Sequence, residues 1–427
     1  MLKKIILRFK MFFLNFWYAF QSLFYKKDEK SVLFGSWFGE KFADNTRYLF
    51  QYMADHKQEL GLHHVGWVTR SEKVFNQLKS MGYEVYMMGT PESAAFHKKA
   101  GYHIICDSSD AFNPTVKTDI ETKYSWRAKR INMWHGVIGF KGVGYASADY
   151  ALRKKRHPFA YRINELLHKS SLYRRFFESA GGWGDCVFLS TTEDAADRLK
   201  KYFALPDDHF ILTAFARVCG VNNLLPDEQE IVDKIKSHRQ CILYFPTFRG
   251  ASSTFDANQT SVLLEEYLNS HDVLFIQKFH SAGANRNAGM IERGNIITLP
   301  HDFDINTIIP YASLLITDYS SVMGDAMYYD VPLLYYTPDI VEYTSKDRGF
   351  VINPQDIMCG PQVSDSSALT GSVACILEST YEPDERYQAI KAEYYRDDKE
   401  MGDIWTDIVL GTGPKEPSQE EWEDSLW

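Results

Sequence analysis

The chain has 427 residues, 45% hydrophobic and 24% charged, with a formal net charge of −9. That length is too great for one ordinary domain and predicts two large lobes with a sizeable core, and the overall acidity opposes an anionic partner such as nucleic acid. Six scattered cysteines without C-x-x-C or Cys/His spacing exclude a metal module and read as reduced thiols in a cytoplasmic compartment.

The charge is uneven along the chain. Residues 1–30 carry seven Lys/Arg against two acids, and residues 151–180 carry eight against two, so the rest of the chain is strongly acidic. Both basic segments are also aromatic. Met11 to Tyr25 is an uncharged run, which as a helix rises roughly 22 Å, short of the about 30 Å core of a bilayer. No small-residue cleavage site follows it, which argues against a signal peptide. Residues 1–30 are therefore expected to form an amphipathic interfacial helix, its Phe/Trp/Tyr face in the acyl boundary. Lys3, Lys4, Arg8, Lys10, Lys26 and Lys27 would then lie at anionic headgroups. "RKKRHPFAYRINELLHKSSLYRRFF" repeats the pattern. The alternative for both is a solvated charged face or a packed helix pair.

From Ser31 onward short apolar runs alternate with helical stretches. "SVLFGSWF", "HHVGWVTR", "YEVYMM", "YHIICD", "RINMWHG", "DCVFLS" and "HFILTAF" predict strands, several nearly all apolar as in a sheet covered on both faces. "DNTRYLFQYMADH" and "TTEDAADRLKKYF" predict helices between them, the second capped by Thr191 or Thr192. After a break at "CGVNNLLPDEQE" the alternation restarts with "QCILYFPT", "DVLFIQKFH", "NIITL", "SLLITD" and "VPLLYYT", and with helices near 259–270, 304–311 and 321–329. The fold class expected is α/β, two Rossmann-like doubly wound parallel-sheet lobes with a cleft between them. The lobes are assigned to 31–222 and 223–395. Helices over about 384–410 would pack back toward the first lobe, ahead of an acidic tail.

Ligands of open parallel sheets bind beyond the carboxyl ends of the strands. Four such ends carry unusual residues: "WHG" (His135, Gly136), "FPTFRG" (Thr247, Arg249), "QKFH" (Lys278, His280) and "TDYSS" (Thr317, Ser320, Ser321). A lone strand-end histidine is either catalytic or a hydrogen-bonded structural residue. Ser320 and Ser321 fall where a helix should begin, so their N–H groups and hydroxyls suit a phosphate, or serve plain capping together with Asp318. Asp325 lies one helical turn beyond Ser321. It would accept from a donor hydroxyl, on ribose or glycerol, or tether the turn locally.

Together these motifs resemble the CDP-glycerol glycerophosphotransferase family, the polyol-phosphate transferases of teichoic acids and related capsules. The resemblance runs from about Ile131 to Phe350 and rests on "INMWHGVIGFKG", "FARVCGVNNLL", "YFPTFRG", "KFH" and "ITDYSSVMGDAMYYDVPLLYYTPDIVEYTSKDRGF". The chain departs from the family pattern at Val137 and Ile138 after "WHG", in keeping a single lysine (Lys141) there, at Ser281, and in lacking the Gly and Pro of the element around Arg217. These departures lie mostly on the acceptor side.

The resemblance implies a GT-B-like fold, with the acceptor on the N-terminal lobe and the donor on the C-terminal lobe. It implies transfer of glycerol phosphate, or ribitol phosphate, from its CDP derivative to a hydroxyl of a lipid-linked or polymeric acceptor, with release of CMP, on the cytoplasmic face of the membrane. His135 would be the general base, since histidine titrates near neutrality without large tuning. His280, Ser320 and Ser321 would meet the charge gathering on the diphosphate, helped by Arg249, Lys278, Thr247 and Thr317. Lys141, Gly136 and Arg217 would face the acceptor. No cofactor is implied and no metal is required, although Asp318 and Asp325 leave a cation open. The rivals are a GT-B enzyme using a nucleotide sugar and a non-catalytic membrane-bound scaffold.

Overall fold

A computed structural model describes residues 2–107, 117–136, 142, 144–178, 184–220, 224–247, 257–279, 289–346, 350–379, 381–395 and 399–412. Lys141, Arg249, His280, Val137, Ile138, Ser281 and the acidic tail lie outside the described residues.

Two seven-stranded sheets organise the chain. The first contains β1 (Asp28–Phe34), β2 (His64–Thr69), β3 (Glu84–Met87), β4 (Ala100–Ile105), β5 (Lys129–Asn132), β6 (Val187–Ser190) and β7 (Phe210–Leu212). Their spatial order is β3-β2-β1-β4-β5-β6-β7, with every neighbouring pair parallel. The second contains β8 (Gln240–Tyr244), β9 (Val273–Gln277), β10 (Ile291–Arg293), β11 (Ile296–Thr298), β12 (Leu314–Thr317), β13 (Leu333–Tyr336) and β14 (Gln362–Val363). Its order is β10-β11-β9-β8-β12-β13-β14, parallel except for the β10/β11 edge pair. The central strands are buried on both faces, which is why they read as unbroken apolar runs rather than alternating ones. All twelve strand stretches expected from sequence are present. β10 and β14 were missed, being exposed or only two residues long.

In each sheet the strand order reverses direction once, between β1 and β4 and between β8 and β12. A crevice opens at such a switch point, outside the carboxyl ends of the strands. The loops after β1, β4, β8 and β12 therefore border the sites where ligands bind in this architecture.

Helix Glu193–Phe203 starts as expected, with the Thr192 hydroxyl accepting from the Ala195 N–H. The helix expected over 304–311 is instead two short 3₁₀ turns, Ile305–Thr307 and Ile309–Tyr311. Pro310 has no N–H for a continuous helix, and the Asp304 carboxylate holds the first turn by accepting from the Asn306 N–H at 3.1 Å. The stretch 384–410 divides into Glu385–Tyr394 and Met401–Gly411. Tyr387 and Ile390 of the former join the second lobe's core, whereas Ile404, Trp405 and Ile408 of the latter join the first. The chain thus crosses back, with Trp405 edge-on to Tyr102 at 5.0 Å.

Helix Leu2–Ser22 packs on the segment around 174–178. Asn15 donates to the Phe176 carbonyl at 3.0 Å, and Phe12 stacks on Phe177 at 4.9 Å. The two basic, aromatic segments singled out in the sequence are therefore neighbours in space. Their outward faces carry Phe13, Phe16, Trp17, Phe24, Phe159 and Leu166, each more than half exposed. Two cations of these segments point inward instead. Lys27, expected at a headgroup, donates to the His97 and Ala100 carbonyls at 3.0 Å, which it can reach because they end the helix Pro91–Lys99. Arg174 is buried against Asp185 at 3.0 Å. No helix among the described residues is long and apolar enough to cross a membrane.

Candidate active site

The carboxyl end of β5 turns sharply. The Asn132 side chain accepts from the Trp134 N–H at 2.9 Å, and Trp134 adopts φ +55°. A left-handed conformation in a bulky residue costs about 1–3 kcal/mol and persists only where its surroundings enforce it. Here the Asn45 amide donates to the Trp134 carbonyl at 2.8 Å, and the indole is buried. Trp37 (φ +42°) and Phe38 (φ +62°) on the loop after β1, and Asp44 (φ +68°) at the start of the helix that follows it, share this strain.

His135 lies between two indoles, with ring centroids 4.3 Å from Trp134 and 4.9 Å from Trp37. Its Nδ1 is 3.0 Å from the Cys106 carbonyl at the end of β4. A carbonyl only accepts, so Nδ1 carries the proton and Nε2 keeps a lone pair. Burial holds the imidazole below the usual histidine pKa, partly opposed by Asp44 and the Cys106 bond. The imidazole is thus neutral at pH 7 with its tautomer set by the backbone.

Across the cleft stands the loop after β12. Asp318 accepts from the Thr247 N–H at 2.9 and 3.0 Å and from the Tyr319 N–H, joining the ends of β8 and β12. The Thr317 hydroxyl is directed inward, donating to the Phe245 carbonyl at 3.1 Å. Ser321 is the N-cap of helix Val322–Tyr328, one residue later than expected, and its hydroxyl makes no capping bond. A side chain built at Gly136 would come within 3.6 Å of that hydroxyl oxygen. The "WHG" and "TDYSS" turns therefore meet, and a glycine at 136 leaves room between them. Lys278, at the end of β9, donates to the Phe303 carbonyl at 2.6 Å, and burial lowers its pKa to about 7.

Arg217 does not open toward a ligand. Its guanidinium makes a two-pronged pair with Asp325 (2.8 and 3.1 Å), bonds Asp44 at 2.7 Å, and donates to the His135 carbonyl at 2.9 Å. Both Asp325 oxygens accept from Arg217, a partner 108 residues away, so the carboxylate ties two distant segments together rather than its own turn. Burial lifts the Asp325 carboxyl to about 6 even against Arg217. Beside it, Arg47 pairs with Glu228 at 2.5 and 2.7 Å, and the Asp44 N–H donates to Asp304 at 3.1 Å. This buried network joins the two lobes directly beneath His135. Asp44, Arg47, Glu228, Asp304, Trp37 and Lys41 were all missed in the sequence. The one local hint was a polar start, Asp44 and Asn45, to an otherwise amphipathic helix.

Two Rossmann-like parallel-sheet lobes with a cleft between them form a GT-B-like architecture. The chain belongs to the CDP-glycerol:poly(glycerophosphate) glycerophosphotransferase family, whose model matches residues 17–403. A teichoic acid glycerol-phosphate transferase of Staphylococcus aureus is 21% identical over 82% of this chain and 85% of its own length. The ribitol-phosphate polymerase TarK of the same organism is 26% identical over 56% of this chain, and the match spans only 44% of TarK. In fold the chain resembles the wall teichoic acid polymerase TagF, with a TM-score of 0.65 at 16% identity, covering 100% of this chain and 97% of the other.

Proposed function

We propose that this protein transfers a polyol phosphate, glycerol phosphate in the first instance, from its CDP derivative to a hydroxyl of a lipid-linked or polymeric acceptor in teichoic-acid or capsule-like polymer synthesis. The observation that carries this reading is His135, its Nδ1 committed to the Cys106 carbonyl and its turn facing Ser321. In this scheme Nε2 takes the proton of the acceptor hydroxyl as its oxygen attacks the phosphorus distal to cytidine. The bond from that phosphorus to the CMP oxygen breaks, and CMP leaves. Ser320, Ser321 and Lys278 meet the negative charge from the second lobe, together with His280 and Arg249, whose roles rest on the family resemblance. The test is CMP release by purified protein given CDP-glycerol or CDP-ribitol with a membrane acceptor. Release above a His135→Ala control is expected with one of them; none with either rejects the reading. CDP-ribitol is the second reading, favoured by the ribitol-phosphate polymerase among the relatives.

The exposed aromatic faces of helix Leu2–Ser22 and of residues 151–178 support peripheral attachment at the cytoplasmic face of the membrane, where a lipid-anchored acceptor meets a soluble nucleotide. Because Lys27 points inward, the informative truncation removes residues 1–24. The full chain should sediment with vesicles containing anionic lipid and the truncated one should lose most of that binding. Unchanged sedimentation would remove the helix from the anchor.

A further inference from the structure

We propose that Asp119 is a positioning residue for the proposed base His135: its carboxylate acts on the imidazole through the peptide unit joining Cys106 to Asp107, and it holds the loop that carries Trp37. The inference rests on the transferase reading and adds a residue to it. Asp119 is buried on the segment between β4 and β5. Its Oδ2 accepts from the Cys106 N–H at 3.1 Å and from the Asp107 N–H at 3.0 Å, and its Oδ1 accepts from the Phe38 N–H at 2.6 Å. All three bonds come from N–H donors, so they call for the carboxylate rather than the acid. Gly35, directly after β1, permits this seat, since a Cβ there would lie 2.3 Å from the Asp119 carbonyl oxygen.

The Asp107 N–H and the Cys106 carbonyl belong to one planar trans peptide, so they point in opposite directions. Fixing the N–H on Asp119 therefore aims the carbonyl at His135, whose Nδ1 donates to it at 3.0 Å. Hydrogen bonds in such a chain polarise one another in a low-dielectric interior, so the carboxylate strengthens the carbonyl as an acceptor and Nε2 as a base. The other oxygen acts on a stacking partner of the ring. Phe38 (φ +62°) follows Trp37 (φ +42°), and its N–H is gripped by Asp119. Arg70, directly after β2, holds the Phe38 carbonyl at 2.6 Å and the Thr118 carbonyl at 2.9 Å. Left-handed backbone in two bulky residues persists only under such constraint. Here it keeps the Trp37 ring centroid 4.9 Å from that of His135, with the indole N–H donating to Asp44 at 3.2 Å. One carboxylate thus sets both the hydrogen-bond partner of the imidazole and one of its stacking walls.

The test is CMP release from CDP-glycerol with a membrane acceptor by wild type, Asp119→Asn, His135→Asn and the double variant at pH 8. Burial and the charge of Asp107 lift the Asp119 carboxyl to about 7, so pH 8 keeps it ionised. Asparagine fills the same space but cannot accept on both sides. Losing a charge-assisted contact should lower kcat about ten- to a hundredfold, with the KM for CDP-glycerol within a few-fold of wild type. The same substitution should cost little in the His135→Asn background, because its effect passes through that ring. Equal losses in both backgrounds, or no loss in either, overturn the assignment and leave the transferase reading intact. A second readout does not depend on turnover. In the full chain labelled with 15N-histidine, the His135 signal, identified by its absence from His135→Asn, should report the Nδ1–H tautomer and move toward the other tautomer in Asp119→Asn. An unchanged signal overturns the relay. If the wild type releases no CMP, the transferase reading falls and the tautomer measurement alone decides the role of Asp119. Thermal unfolding reports separately on folding. Should Asp119→Asn unfold, Arg70→Met, which frees the Phe38 and Thr118 carbonyls, replaces it, with a smaller loss of kcat expected and the same disappearance of that loss in His135→Asn.

Discussion

Replacing His135 by Asn is expected to lower CMP release by about 10²–10⁴-fold while leaving binding of the CDP donor within a few-fold of wild type. Asn keeps a donor for the Cys106 carbonyl but has no basic nitrogen, so the change isolates proton removal from packing. The pH profile adds a second reading. In the proposed scheme His135 acts in its neutral form, and burial holds its pKa below the ordinary 6.5, so kcat/KM should rise with pH along a limb centred below 6.5. In the same scheme Lys278 meets a phosphate in its charged form, and burial lowers its pKa to about 7, so the rate should fall again near neutrality. Lys278→Arg, which stays protonated, should remove the upper limb and leave the lower one. A profile unchanged in both limbs by the two substitutions would reject these assignments.

The second large effect is on stability. Arg217→Ala removes the cation shared by Asp44 and Asp325 and leaves two buried carboxylates facing each other. Breaking such a pair typically costs about 3–5 kcal/mol, because the desolvation remains and the attraction is lost. The cost should depend on pH with a defined sign. In the intact protein Asp325 is raised from 3.8 to about 6, so its contribution to stability is fully present below 3.8 and is lost as pH rises through 6. Without Arg217 that folded-state pKa moves higher still. The variant should therefore be less destabilised at pH 5 than at pH 7.5 by urea unfolding. A loss below about 1 kcal/mol at both values would show that the network carries little. Asp325→Asn, which leaves Arg217 paired with Asp44, should cost less than Arg217→Ala.

These two predictions draw on different kinds of information. His135, Ser320, Ser321, Thr247 and Lys278 were singled out as candidates in the sequence because each follows an apolar run, and a run of buried strand residues marks its own carboxyl end. Doubly wound sheets place those ends on one side, so the motifs cluster without any knowledge of contacts. Arg217 and Asp325 were noticed too, but their roles were not legible. Asp44, Arg47, Glu228 and Asp304 gave no usable signal. Arg217 meets Asp325 across 108 residues and Asp44 across 173, and Arg47 meets Glu228 across 181. Neither helical nor strand periodicity encodes a pair that far apart.

Local rules also failed where they conflict with one another. The pattern over 304–311 is apolar enough for a helix, yet Pro310 and the Asp304 turn divide it. Lys27 belongs by composition to a basic membrane-facing segment, and only the packing of helix Pro91–Lys99 shows that two carbonyls claim it.

By itself the sequence determined the two-lobed parallel architecture and which strand ends carry the candidate site residues. Both follow from short-range patterns of burial and turn formation, and the family membership rests on the same motifs. Only the tertiary structure decided the tautomer of His135, the closure of Arg217 on Asp325, and the position of Lys41 over Trp37. Each depends on a partner brought close by the docking of two lobes, and in a low-dielectric interior that proximity sets charge, proton position and strength of interaction together.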